Sequence, residues 1–248
     1  MALLWQKQVD DTCYQVRNHG ASVRLYSNGV FHSQWNPRDP LKGSLWELLL
    51  LPAFFLPEER LNSVLVLGVG GGALIRLLQA FTSAKRIVGV DLDPVHLDIA
   101  RRFFGVRDVE LVCADACDFV RDHLKRPSHS TFDLVIDDLF GHCDGVVQRA
   151  VPADKSWCSS LMRLLHKDGV LVSNFGDRPE LQNSAWRDKA MRERLGGAWM
   201  AYMPQYENHI LAVSRGTLRK GELAARAPEK INPANPNRRL DFRMSQLR

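Results

Sequence analysis

The sequence lacks the cysteine spacing of a disulfide framework or of a zinc site. Its five cysteines are an odd number, and no two of them form a CxxC pair. Small secreted scaffolds carry an even, regularly spaced set. Cys113 and Cys117 flank Asp115, but no second pair of soft ligands lies nearby in the sequence to complete a zinc site. We therefore expect reduced, packed thiols and no bound metal.

Long apolar segments are also missing. The N-terminus has no apolar stretch typical of a signal peptide, and the most apolar run, 48–56, is too short to span a bilayer and contains Pro52. These absences predict a cytoplasmic protein with no membrane partner. With 45% hydrophobic and 25% charged residues in 248, the chain can bury a large core.

The chain carries a net charge of +5, which raises the question of a nucleic-acid partner. Much of the excess lies in the last thirty residues, in pairs such as Arg219-Lys220 and Arg238-Arg239. No nucleic-acid-binding motif accompanies these pairs, so the charge pattern disfavours such a partner.

Three segments differ in character. Residues 1–56 contain short β-type runs around the turn signal Asn28-Gly29, followed by a helix from Ser44 to about Phe55 with Glu47 at the capping-box position. Residues 57–215 alternate apolar strands with helical patterns. Residues 216–248 are polar, basic and rich in proline, which predicts a tail that docks loosely or is disordered.

The alternation in the second segment predicts a doubly wound, mostly parallel sheet of seven strands, with the first segment as a small antiparallel β-meander. The strands show continuous apolar runs, as expected for strands buried on both faces. They are predicted at 64–67, 86–90, 109–112, 132–136, 169–173, 199–202 and 209–213. A further helix is predicted at 185–195.

A glycine cluster, Gly68-Val-Gly70-Gly-Gly72, follows the first of these strands directly. Glycine allows a tight strand-to-helix turn and close approach of a ligand. The dinucleotide motif would place its last glycine at Ala73, a substitution that does not formally exclude NAD. No Gly-Lys-Ser/Thr follows, so the loop is not a P-loop.

Two acids follow the next two strands. Asp91, with Leu92 beside it, ends the second strand, where a carboxylate can accept hydrogen bonds from both ribose hydroxyls. Asp115 can accept from an adenine amino group while the backbone N–H of Ala116 meets a ring nitrogen. Asp115 can equally act as a helix N-cap. Three such features at successive strand ends favour a single nucleoside.

The fourth strand runs into Asp137-Asp138. Neighbouring side chains in a strand point to opposite faces, so only one of them is expected to reach a ligand. That carboxylate can hold an amine, take its proton or steady a sulfonium charge. His142 follows as a weak substrate-facing candidate. Both acids could instead cap the next segment.

These residues resemble the spermidine synthase family and its methyltransferase-like relatives. Residues 64–72 are similar to the family's donor loop, Asp91 to its ribose-binding acid and 114–116 to its adenine-binding motif. Residues 132–138 are similar to its strand-four motif, whose final aspartate, here Asp138, holds and deprotonates the attacking amine. The resemblance implies a class I methyltransferase-like, Rossmann-like fold. It also implies S-adenosylmethionine or decarboxylated S-adenosylmethionine as donor, and a link to polyamine biosynthesis.

The family has a glutamine near the donor, which falls on His32 when counted from Asn28-Gly29; Gln34 lies two residues later on the same face. Other positions depart from the family. Gly71 stands where the family has the aspartate that holds the aminopropyl amine, and 139–142 lack the family's continuation after the catalytic aspartate. The family's Tyr-His-Glu stretch reads Leu-Trp-Glu at 45–47.

The sequence therefore predicts a spermidine-synthase-like transferase that more readily transfers methyl than aminopropyl to an amine-like or other small acceptor. A true aminopropyltransferase acting on putrescine is the first alternative. A non-catalytic nucleoside-binding protein is the second. A homodimer through the meander is a further expectation.

Overall fold

The structure is a computed structural model that describes residues 2–143 and 146–247, the side chains at 142, 143, 146 and 147 excepted. Two sheets organise the chain. The first is an antiparallel meander of four strands in sequence order: β1 (Ala2–Val9), β2 (Thr12–His19), β3 (Ser22–Ser27) and β4 (Val30–Trp35). The turn before β4 has positive φ at both Asn28 (50°) and Gly29 (81°), as the Asn-Gly signal predicts.

The second sheet has eight strands in the order β14-β12-β13-β11-β8-β5-β6-β7. Its centre is parallel, and β12, β13 and β14 join antiparallel at one edge. The strands are β5 (Ser63–Leu67), β6 (Arg86–Asp91), β7 (Glu110–Cys113), β8 (Phe132–Asp137), β11 (Leu165–Phe175), β12 (Gly197–Tyr202), β13 (His209–Ser214) and β14 (Arg243–Gln246). A short hairpin, β9 (Phe140–Cys143) and β10 (Val146–Arg149), follows β8.

Helices cover both faces of this sheet, and the apolar runs of the central strands are almost wholly buried between them. They are α1 (Leu45–Leu50), α2 (Ala73–Phe81), α3 (Pro94–Arg102), α4 (Ala116–Lys125), α5 (Lys155–Leu164), α6 (Arg178–Asn183), α7 (Lys189–Arg192) and α8 (Lys220–Arg226). The predicted class I methyltransferase-like fold is confirmed. None of the described helices is both long and apolar enough to cross a bilayer.

Helix α1 shows how the sequence sets a local structure. The capping box predicted at Ser44 and Glu47 is present, and the fully buried Glu47 carboxylate accepts hydrogen bonds from the backbone of residues 42–44. The helix ends at Leu50 and continues as a 3₁₀ segment, Leu51–Phe55, that carries Pro52 in its first turn. Proline has no N–H to continue the α-helical pattern.

Two expectations need correction. The predicted helix at 185–195 is a 3₁₀ turn, Ala185–Arg187, followed by the four-residue α7, because Asp188 adopts an extended conformation between them. The tail is neither loose nor disordered. Its β14 adds the eighth strand to a sheet predicted to have seven, and α8 packs against the 3₁₀ segment 51–55. Its apolar side chains are buried: Leu223, Ile231, Leu240 and Phe242.

Candidate functional site

The carboxyl ends of β5, β6, β7, β8 and β11 lie at one edge of the sheet, and the predicted site residues follow them. The glycine loop after β5 has positive φ at Gly68 (90°), Gly70 (52°) and Gly72 (84°). A Cβ atom at Gly68 would lie 2.1 Å from the backbone oxygen of Asp138, at the end of β8. Glycine at position 68 therefore lets the loop pack directly against the end of the central strand.

Every backbone N–H of the loop is already bonded within the protein. Gly68 donates to the Val90 carbonyl, and Gly72 donates to the Val69 carbonyl. Val69 and Gly70 both donate to Oδ2 of Asp91 at 2.8 Å, and Gly71 donates to Oγ of Ser33 at 2.8 Å. The loop thus has no N–H left for a pyrophosphate, the group that such loops bind in dinucleotide sites.

Asp91 ends β6 and holds the loop in place. Its Oδ2 accepts the two loop N–H groups, and its Oδ1 accepts the N–H of Asp93 at 2.9 Å. A carboxylate offers about four acceptor positions, so about one remains. The position that remains, on Oδ1, leaves room for one further donor, and the hydrogen bonds from both ribose hydroxyls to Asp91 stay a prediction. His96 lies beside that oxygen, its Nδ1 3.9 Å away.

The predicted adenine end lies at β7 and the start of α4. Asp115 is the N-cap of α4, its Oδ1 accepting from the N–H groups of Cys117 and Asp118, and its side chain is exposed. The capping role is therefore present, and Oδ2 has no donor among the described residues. Leu92 is 70% exposed, which is unusual for a leucine beside a buried strand. Ala116 is buried.

Asp138 is partly buried at the end of β8. Its Oδ1 accepts a hydrogen bond from Nδ2 of Asn174 at 2.8 Å. Burial raises the pKa of Asp138 to about 6, further helped by the neighbouring Asp137, while the Asn174 bond and Arg149 oppose the rise. A carboxylate with this pKa is ionised at neutral pH, yet close enough to it to accept a proton during a reaction.

Asp137 points to the opposite side and is fully buried. Its Oδ2 pairs with Arg149 Nη2 at 2.8 Å and also accepts from Trp157 and Ser173. This buried ion pair engages Oδ2 of Asp137 and joins β8 to the base of the β9–β10 hairpin, so a contact of Asp137 with substrate stays a prediction. The two acids have different partners, as the alternation of side chains along a strand predicts.

The meander contacts the loop through a residue that the sequence analysis missed. Ser33 is buried on β4 and its Oγ accepts from Gly71, whereas Gln34 is engaged by Arg24 Nε at 2.6 Å. The His32 ring lies 5.1 Å from that of His96, next to Asp91. A bulge between Leu25 and Tyr26 shifts the register of β4. The structure thus places His32 rather than Gln34 beside the residues of the ribose end.

Asn174 is the second residue that was missed. It is buried at the carboxyl end of β11, and that position beside β8 was the signal available in the sequence. The side chain of the predicted His142 lies outside the described residues. Among the described residues, no group of three His, Cys, Asp or Glu side chains is arranged to hold a metal ion.

Comparison with known proteins shows which fold and family the chain shares. A crystal structure of a probable spermidine synthase from Corynebacterium glutamicum superposes with a TM-score of 0.73 at 15% identity, covering 99% of this chain and 91% of that one. Human methyltransferase-like protein 13, solved in complex with SAH, superposes with a TM-score of 0.59 at 20% identity, covering 68% and 81%. At these identities the likeness shows the shared fold.

A polyamine aminopropyltransferase of Clostridium beijerinckii is 28% identical over 158 residues, which are 62% of this chain and 53% of that protein. The chain spans about half the length of the first curated relatives it matches. The spermine/spermidine synthase domain model matches residues 48–213. Since that match covers more than half of the 248 residues, the protein belongs to the spermine/spermidine synthase family.

Proposed function

We propose that the protein is a group-transfer enzyme whose donor is S-adenosylmethionine or its decarboxylated form, and that it favours methyl transfer to an amine-like or other small acceptor. The observation that carries this proposal is the position of the glycine loop between two carboxylates. Asp91 binds the loop at one side, and the backbone of Asp138 contacts Gly68 at the other. A nucleoside lying along the loop would have an acceptor for a ribose hydroxyl, Asp91, at one end and a partly buried carboxylate that can take a proton, Asp138, at the other.

The bonding of the loop favours a nucleoside over a dinucleotide. The five N–H groups from Gly68 to Gly72 are all occupied, and Ser33 lies against the loop at Gly70 and Gly71. A pyrophosphate needs such N–H donors, whereas a thioether or sulfonium linkage needs none. The exposed Leu92 offers an apolar surface for one face of an adenine ring, and Oδ2 of Asp115 an acceptor for its amino group.

The comparisons leave two donors to consider. A curated relative is named for aminopropyl transfer, which suggests decarboxylated S-adenosylmethionine, and a solved structure is named as methyltransferase-like, which suggests S-adenosylmethionine. The glycine at position 71 favours methyl transfer, because it offers no carboxylate to hold a donor amine. In the family this position carries the aspartate for the donor's amine; here a Cβ would lie 2.7 Å from Ser33 Cβ and 2.8 Å from the Phe104 ring. A carboxylate at position 71 would therefore point into packed side chains rather than toward a donor.

Asp138 would act on the acceptor. Its carboxylate accepts the proton of an acceptor N–H while the nitrogen forms a bond to the carbon attached to the sulfonium. The carbon–sulfur bond breaks and its electron pair stays on sulfur, which becomes a neutral thioether. The chain contributes positioning and electrostatic stabilisation to this in-line displacement.

The test is a parallel incubation of the protein with each donor and a panel of small amines, including putrescine, followed by mass spectrometry. We expect an added methyl group from S-adenosylmethionine. Loss of Asp138 as base in Asp138→Asn should lower the rate by about 10²–10⁴-fold. An added aminopropyl group at a normal enzymatic rate would support the alternative named by the curated relatives. Donor binding without any turnover would support a non-catalytic protein.

A further inference from the structure

Both polar groups of the Asn174 side chain are hydrogen-bonded, each to a different residue. Nδ2 donates to Oδ1 of Asp138 at 2.8 Å, and Oδ1 accepts from Nδ2 of Asn208 at 3.0 Å. Its backbone oxygen accepts from Arg149 Nη1 at 2.6 Å, so the residue is fixed at both ends. Asn174 is 2% exposed, which keeps water from replacing these partners.

The direction of the Asn174 amide matters for Asp138. A side-chain amide presents an NH₂ donor on one side and an oxygen acceptor on the other. With the NH₂ toward Asp138, the amide stabilises an ionised carboxylate. With the oxygen there, it repels the ionised form and favours the protonated one. The structure shows the first arrangement, in which Asn208 Nδ2 donates to the Asn174 oxygen.

We propose that Asn208 is a positioning residue that acts through Asn174 to keep Asp138 ionised and oriented for the acceptor. The catalytic role of Asn208 rests on the proposed function. Its effect on the ionisation of Asp138 rests on the hydrogen bonds from Asn208 to Asn174 and from Asn174 to Asp138. Asn208 itself touches neither Asp138 nor the glycine loop in any described contact. It follows the exposed segment 204–207 and immediately precedes β13, so the chain links a surface loop to the base.

The charged groups that act on Asp138 come from three elements. Asp137 precedes it on β8, Arg149 approaches from the hairpin and Asp91 from β6. Glu180 on α6 affects the charge environment of Asp138 indirectly, because its Oε1 lies 3.5 Å from Arg149 Nε. None of these groups contacts Asn208 in the described hydrogen bonds, so a substitution there leaves their arrangement unchanged.

The test is a pH titration of the Asp138 carboxyl carbon by NMR, which needs neither donor nor turnover. Asn208→Asp is the sharpest variant, because its carboxylate only accepts and so draws the Asn174 NH₂ away from Asp138. We expect the titration midpoint of Asp138 to rise by about one pH unit, whereas Asn208→Gln keeps a donor and restores the wild-type midpoint. Gln205→Glu places the same added charge on the exposed segment and is expected to leave the midpoint unchanged.

Asn208→Ala keeps the inference testable if the aspartate variant does not fold, since removing the donor is expected to move the midpoint in the same direction. In turnover assays the acidic side of the pH–rate profile should shift to higher pH together with the NMR midpoint of Asp138. In the shifted variant kcat at about pH 6 should therefore fall about fivefold, while KM for the donor stays constant. A midpoint in Asn208→Ala equal to that of the wild type would overturn the inference, whatever the aspartate variant shows, because a carboxylate at position 208 also raises the Asp138 midpoint directly through its charge. A shifted midpoint in a protein without turnover would uphold the hydrogen-bond chain and count against the proposed function alone.

Discussion

The hydroxyl oxygen of Ser33 lies 2.8 Å from the backbone nitrogen of Gly71 and accepts its hydrogen bond. This contact joins the N-terminal meander to the glycine loop, and it is buried on both sides. The meander therefore forms one wall of the proposed donor site. A buried N–H that loses its partner costs about 1–3 kcal/mol.

Ser33→Ala removes that acceptor and leaves the Gly71 N–H unpaired. We expect the variant to bind S-adenosylmethionine about tenfold more weakly. We also expect it to unfold at a lower temperature, because the buried Gly71 N–H has no hydrogen-bond acceptor. Calorimetric titration and thermal unfolding measure the two effects. Ser128→Ala, at an exposed position, is the control. Equal donor affinity in both variants would show that the meander does not shape the donor site.

Gly68→Ala tests the close approach of the loop to β8. The new Cβ would meet both a positive φ and the Asp138 carbonyl at 2.1 Å. Gly20→Ala meets only a positive φ of 58°, with open space around it. We expect Gly20→Ala to lower the free energy of unfolding by about 1 kcal/mol, and Gly68→Ala by several times as much together with loss of donor binding. Similar losses in denaturant unfolding of the two variants would contradict the proposed contact.

Asp138 should couple stability to pH. Burial raises its pKa from 3.8 to about 6, so the folded state holds the proton more tightly than the unfolded chain. The stability that this provides is fully present below pH 3.8 and is lost as the pH rises through about 6. Asp138→Asn does not ionise, so its free energy of unfolding should exceed that of the wild type by on the order of 3 kcal/mol at about pH 8.

The excess should shrink as the pH falls and approach zero near about pH 3, below the unfolded pKa of 3.8, where the wild-type carboxyl is protonated in both states. Urea unfolding across this range measures the difference. A constant difference at all pH values would mean that the folded-state pKa of Asp138 is not raised. Activity of the wild type, by contrast, should rise with pH through about 6, because only the ionised carboxylate accepts a proton.

Arg149→Met tests the ion pair beneath the site. The Arg149 and Asp137 side chains are 2% and 1% exposed, and removing one partner leaves a buried charge uncompensated. We expect a loss of about 3–5 kcal/mol in denaturant unfolding. Lys189→Met, whose side chain is 92% exposed and lies 3.9 Å from Glu193, should change little. A small effect of Arg149→Met would show that Asp137 is solvated and open to a ligand after all.

The local structure of the proposed nucleoside half was accessible from the sequence because it depends on local signals. Glycine after an apolar strand, Asp91 after the next strand and Asp115 before a helix each act through their own backbone neighbourhood. The central strands were predicted for the same reason, since continuous apolar runs of strand length have few alternatives.

The missed features depend on contacts between distant segments. Ser33 meets Gly71 across 38 positions, and Asn174 meets Asp138 across 36. The bulge in β4, which places His32 rather than Gln34 at the ribose end, has no local signature. The tail was misjudged because its polar, proline-rich composition outweighed apolar residues such as Leu240 and Phe242, which the structure buries. The domain boundaries, the homodimer and the cytoplasmic location stay predictions.

The central claim is that a single S-adenosyl nucleoside binds along the glycine loop with its adenine at Asp115. The most direct measurement is a calorimetric titration with S-adenosylmethionine of the wild type, Asp115→Ser and Asp177→Ser. Serine caps a helix as well as aspartate does, and Asp177 is the cap of α6, a helix that follows β11 rather than β7. The account predicts saturable one-to-one binding to the wild type and Asp177→Ser, and about tenfold weaker binding to Asp115→Ser. No binding to the folded wild type, or equal binding to all three proteins, would contradict it.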